Sequence, residues 1–172
     1  MGLIKSSIIK PDLKDTYIVL VDDDFIYKPY MLEYFDKYNK KYCDNKVTVA
    51  SYYYYIFNNI EGIRIGQGAD GLFIKLESLN KFEDYYNIIK DYDYVNYHDD
   101  YYISYYFYLK QIRLEFIHPP FNSYIYTPQI SSTIDTLLLI SGKNNRLNLN
   151  HKVNEILCKL NNEGKFDEVK NN

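Results

Sequence analysis

The chain has 172 residues and a mass of 20.6 kDa, enough to bury a sizeable core within one domain. Lys and Arg number 20 against 23 Asp and Glu, a net charge of −3, with no basic stripe of the kind that follows a phosphate backbone, which argues against a nucleic-acid partner. No apolar run approaches the roughly 20 residues that cross a bilayer, and Met1-Gly2-Leu3-Ile4-Lys5 lacks a secretory apolar segment, so no membrane span and a cytoplasmic location are expected.

In chain order, residues 16–22 read as a buried strand and 29–41 as a helix with Pro29 in its first turn. Residues 46–54 are β-branched and aromatic, which favours a second strand. After the turn signals Asn58-Asn59 and Glu61-Gly62, a short strand is expected at 63–65 and another at 71–76. Residues 78–90 read as a helix. Asp99-Asp100 opens a further helix through Leu109, with Ile103, Tyr106 and Phe107 toward the core. Residues 111–117 look like a strand, and His118-Pro119-Pro120 begins an irregular stretch to about residue 130. Leu149, Val153, Ile156, Leu157 and Leu160 mark one face of a last helix. Beyond Gly164 the chain is expected to be a frayed tail, giving a single domain over 1–164 and a tail over 165–172.

Cys43 and Cys158 lie far apart, with no Cys or His at zinc-like spacing, so reduced thiols are expected. The chain holds 22 Tyr and no Trp, which with its many Asn, Ile and Lys reads as coding bias more than as function, although Tyr52 to Tyr55 could line a sugar site.

The chemistry concentrates in two acidic clusters. Tyr17-Ile18-Val19-Leu20-Val21 runs into Asp22-Asp23-Asp24, and desolvated carboxylates at a strand end call for a cation. Side chains alternate along a strand, so Asp22 and Asp24 share one side and Asp23 takes the other. In open α/β sheets, ligands bind beyond the carboxyl ends of the strands, and hard oxygen donors suit Mg2+ or Mn2+ shared with phosphate oxygens. The second cluster, His98-Asp99-Asp100, begins a helix, where the dipole keeps a carboxylate ionised and able to accept a proton. Gly66-Gln67-Gly68-Ala69-Asp70-Gly71 spells a dinucleotide fingerprint. That motif needs its last glycine to open a helix, whereas residues 71–76 read as a strand, so a loop beside the active site is expected and NAD is not.

The order of residues 15–27 with Asp22-Asp23-Asp24, then Gly68-Ala69-Asp70-Gly71, then His98-Asp99-Asp100-Tyr101-Tyr102-Ile103-Ser104, resembles the nucleotide-sugar-dependent glycosyltransferases of the GT-A fold. Gly142-Lys143-Asn144-Asn145-Arg146-Leu147-Asn148 is similar to the family's closing segment, and the resemblance covers most of residues 2–160. It implies an α/β fold with an incomplete GT-A-like (Rossmann-like) mixed sheet flanked by helices. Asp22, Asp23 and Lys5 would bind the nucleotide donor; Asp24 and Asp22, completed by His118 or His151, would hold Mn2+ or Mg2+. Gly68, Ala69 and Asp70 would line the donor sugar and acceptor, and Asp100, with Asp99 as the close alternative, would be the general base of an inverting transfer. The partners implied are a nucleotide-sugar donor and a hydroxyl acceptor on a glycan, lipid or protein. Because the acidic strand comes almost at once, the chain reads as lacking the family's first βα units, and a homo-oligomer could cover the sheet edge thereby left open. The alternatives are an inert glycosyltransferase remnant that serves as a binding module, and a metal-dependent phosphohydrolase.

Overall fold

The computed structural model describes residues 16–21, 25–27, 29–42, 49–51, 63–66, 71–95, 98–116, 126–128 and 145–171. They form a mixed α/β structure built on a four-stranded sheet of order β1-β4-β3-β5, where β1 is Tyr17–Leu20, β3 Val49–Ser51, β4 Leu72–Lys75 and β5 Leu114–Phe116. β4 is antiparallel to both β1 and β3, and β3 is parallel to β5. Three strands therefore run one way and β4 the other. A separate antiparallel pair joins β2 (Phe25–Tyr27) to β6 (Tyr126–Pro128), a short strand inside the stretch expected to be irregular.

Alternation along β4 divides the core into two faces. Leu72 and Ile74 point into the larger cluster, with Ile18 and Leu20 of β1 packed against it. Phe73 points the other way, where its ring stacks between Tyr17 at 4.6 Å and Phe35 at 5.3 Å. That second face is covered by α1, Met31–Tyr42, which buries Met31 and Phe35 at the i, i+4 spacing of one helix stripe. The first face is covered by α2 (Phe82–Ile89), α3 (Asp99–Leu109), α4 (Asn145–Asn162) and α5 (Asp167–Lys170). Tyr106 and Phe107 are fully buried there as expected, while Ile103 is half-buried.

Three expectations change. The strand over 16–22 is not buried on both sides. β1 lies at the sheet edge among the described residues, and its four side chains are all half-buried. The helix over 78–90 is in two pieces, a 3₁₀ turn at Leu76–Leu79 and then α2, because Lys81 adopts a left-handed φ of 64°. The break is held by side-chain bonds. Tyr106 Oη donates to the Asn80 carbonyl, and Lys81 Nζ donates to the carbonyls of Glu168 at 2.7 Å and Asn171 at 3.0 Å.

Those two acceptors belong to the segment expected to fray. Gly164, at φ 73°, ends α4 in a Schellman turn: its N–H donates to Asn161 O at 3.1 Å and the Lys165 N–H to Leu160 O at 3.0 Å. The glycine that reads as a stop instead turns the chain back onto the helices. Phe166 is then fully buried, 5.2 Å from the ring of Tyr85, and Val169 is buried with it. Lys110 Nζ donates to Val169 O at 3.1 Å; its own burial and the nearby Lys81 charge both lower its pKa. No helix among the described residues is long and apolar enough to cross a membrane.

Truncating the docked ring tests this placement. Phe166→Ala should destabilise the fold by about 3–5 kcal/mol in urea unfolding, where a frayed tail would show no change. Alkaline pH provides a second test. Burial raises the phenol pKa of Tyr85, Tyr105 and Tyr106, and burial with the Asp99 charge, then Tyr86 and Asp100, pushes Tyr102 up to about 12. A raised acid favours the folded state while protonated, so this stability is fully present below the ordinary value of 10.0 and is lost as pH rises through 12. Urea midpoints should stay level up to about pH 10 and fall from there to about pH 12.

Candidate active site

The strand registers gather the ends that matter on one edge of the sheet. Leu20 pairs with Leu72, Leu72 with Ser51, and Ser51 with Phe116. The carboxyl ends of β1, β3 and β5 and the amino end of β4 are thus aligned across about 14 Å, three strand spacings. The residues adjoining those ends in sequence are 22–24 after β1, 52–55 after β3, 67–70 before β4 and 117–118 after β5. Asp22, Asp23, Asp24, Gly68, Ala69, Asp70 and His118 fall within these segments; they and Lys5 lie outside the described residues.

The approach to β4 is tightly constrained. Arg64 Nη1 donates to the Leu114 carbonyl at 3.1 Å, which fixes the segment before Gly66 to β5. A Cβ on Gly66 would come within 2.6 Å of Leu72 Cδ2, and Leu72 is buried, so only glycine fits there. Gly71 has φ 83° and lies against the Phe35 ring, 3.4 Å from where its Cβ would be. The last glycine of the fingerprint string therefore opens a strand, as its sequence suggests, and a dinucleotide helix does not follow it.

Asp99 and Asp100 occupy the first turn of α3, both half-buried. His98 stands at the cap position with φ −136° and makes no side-chain cap bond. Asp99 does part of that work, since its Oδ1 accepts the Asp100 backbone N–H at 3.1 Å. The Asp99 carboxylate thus serves the backbone of its own turn. Burial first, and then the charges of Asp99 and Asp100, raise the pKa of the Tyr102 phenol.

Buried hydroxyls fix this turn relative to the sheet. Ser104, one turn after Asp100 and 1 % exposed, donates from Oγ to the Asp100 carbonyl at 2.6 Å and accepts the Gly66 N–H at 3.0 Å. Tyr101 Oη donates to Asn154 Oδ1 of α4 at 2.9 Å, which Cys158 Sγ also approaches at 3.6 Å. Tyr85 Oη donates to the Tyr102 carbonyl at 2.9 Å. Neither Ser104 nor Asn154 was identified from the sequence. The available signals were a serine four residues past an acidic helix start, and an amide adjoining the apolar stripe of α4. His151, the alternative metal ligand, is exposed on α4 one turn before Asn154. Among the described residues no group of three or more His, Cys, Asp or Glu could hold a metal ion. The carboxylate run after β1 lies outside that set, and its hard oxygen donors suit Mg2+ or Mn2+.

Comparison of the chain with protein-family models, with curated proteins and with solved structures finds no match in any of the three. Gly71→Ala should destabilise the fold by about 1–2 kcal/mol, from the left-handed backbone alone, with an unchanged m-value in urea. A smaller loss would mean that the entry to β4 relaxes away from its left-handed φ.

Proposed function

We propose that this chain is a metal-dependent, GT-A-like glycosyltransferase that moves a sugar from a nucleoside-diphosphate donor to a hydroxyl acceptor with inversion. One observation carries the reading: three strand carboxyl ends and the start of the antiparallel strand share an edge, and Ser104 ties the acidic turn of α3 to the glycine segment entering that edge. The motif order of the GT-A enzymes calls for this arrangement, with acids after one strand, a glycine loop before the next and an acidic helix start alongside. Ile18 and Leu20 face the side that carries α3, and Asp22 and Asp24 share their parity in the sequence.

In this reading Asp22, Asp24 and His118 would hold the divalent ion, whose chemistry is to neutralise charge on the departing diphosphate. Asp22, Asp23 and Lys5 would bind the nucleotide, and Gly68, Ala69 and Asp70 the sugar and acceptor. Asp100 is the base that the motif order implies, with Asp99 as the close alternative, and both stand in the first turn of α3. The acceptor oxygen bonds to the anomeric carbon from the face opposite the diphosphate, and its proton passes to the Asp100 carboxylate. The anomeric C–O bond breaks with its electron pair leaving on the nucleoside diphosphate. The positive end of the α3 dipole favours the ionised base before the step.

Melting temperatures with a panel of nucleoside diphosphates and nucleotide sugars, each with and without Mn2+, test the reading. At least one nucleotide with Mn2+ should raise the midpoint, and Asp24→Asn should abolish the rise. Asp100→Asn should keep that rise and lower turnover about 100- to 10,000-fold. Uniformly flat curves would overturn the proposal and favour the remnant, and release of phosphate from simple esters without sugar transfer would favour the hydrolase.

A further inference from the structure

We infer that Ser104 is a positioning residue that couples the Gly66 backbone to the catalytic base; this rests on the glycosyltransferase reading above. A serine inside a helix ordinarily bonds the carbonyl four residues back and nothing else. Ser104 makes that bond, to Asp100 itself, and uses its remaining capacity on a partner 38 residues away, the Gly66 N–H. One hydroxyl thus joins the backbone of the proposed base to Gly66, on the segment that Arg64 ties to β5. The bond to Gly66 is buried and the one to Asp100 partly so, with Ser104 itself 1 % exposed.

Neither end of the bridge can yield independently. Gly66 is held between Leu72, which leaves no space for a side chain, and the Arg64 bond to β5. The α3 end is fixed by the Tyr101–Asn154 and Tyr85–Tyr102 bonds. The Asp100 backbone is therefore held in register with Gly66 through two hydrogen bonds, and with it the position from which the carboxylate meets the acceptor hydroxyl. Catalytic geometry is sensitive at this scale, since a misplacement of about 1 Å can cost a hundredfold in rate.

The test uses the full chain with Mn2+ and the nucleoside diphosphate that gives the largest melting shift. In the unmutated protein, that ligand should slow amide hydrogen exchange at Gly66 and at residues 100–102 together. Ser104→Ala should retain the melting shift and the donor KM within about twofold, lose the ligand-dependent protection of residues 100–102, and lower kcat about 10- to 100-fold. Ser104→Thr, which keeps the hydroxyl, should restore most of kcat. A purely structural serine would instead lower stability and leave kcat of the folded fraction unchanged, which overturns the inference. Protection at Gly66 without protection at residues 100–102 in the unmutated protein overturns it as well, with no variant required. If no nucleotide shifts the melting temperature of the unmutated chain, the glycosyltransferase reading fails first and this inference fails with it.

Discussion

The whole arrangement depends on β4 running against both of its neighbours. Leu72 is paired on one side with Leu20 and on the other with Ser51, so the start of β4 and the ends of two strands must coincide. The same strand separates the two halves of the core. Leu72 and Ile74 enter the helix-covered cluster, and Phe73 is stacked beneath α1 between Tyr17 and Phe35. A slip of one residue would exchange these faces and also shift Gly71 against the neighbouring strand ends. Core packing and site geometry are thus fixed by one register.

Over this apolar frame lies a second, polar layer that holds α3. Its bonds run to Gly66, Asn154, Asn80 and back from Tyr85, one in nearly every direction from which the helix is packed. Each is worth about 0.5–1.5 kcal/mol net, less than the burial of the rings that carry them. Their contribution is direction. Apolar contact allows a helix to rotate or slide by small amounts, whereas a buried hydroxyl must meet its acceptor, so the bonds determine which side of the first turn faces the strand ends.

Local signals that coincide with tertiary ones were legible in the sequence. α3 spans Asp99–Leu109 as read, because the acids that begin it are also favoured at helix starts. β4 and the refusal of the dinucleotide motif followed from one apolar run after Gly71. The misreadings arose where a long-range bond outweighed a local pattern. The periodicity of 78–90 is helical, yet Tyr106 takes up the Asn80 carbonyl, which a continuous helix would have used, and Lys81 Nζ reaches the carbonyls of Glu168 and Asn171. The tail after Gly164 is polar enough to suggest fraying, but Phe166 and Val169 are spaced to reach the core once the Schellman turn redirects the chain. Around the candidate site, the place of Asp99 and Asp100 at a helix start was legible in the sequence, while the bonds of Ser104 and Asn154 were not. Their partners lie 38 and 53 residues away, a separation that no local pattern encodes.

The abundance of tyrosine, read at first as a compositional accident, has a consequence for how this interior can change. In a core built on phenylalanine, one ring can replace another wherever volume permits. Here Tyr85, Tyr101 and Tyr106 each end in an oxygen with an assigned recipient on another element. Exchanging any of them for phenylalanine keeps the shape but removes a donor from a carbonyl or amide, at a fully buried position for Tyr101 and a partly buried one for Tyr85 and Tyr106. The interior is consequently permissive in size and strict in chemistry, and neutral drift through it should follow routes that keep the oxygen.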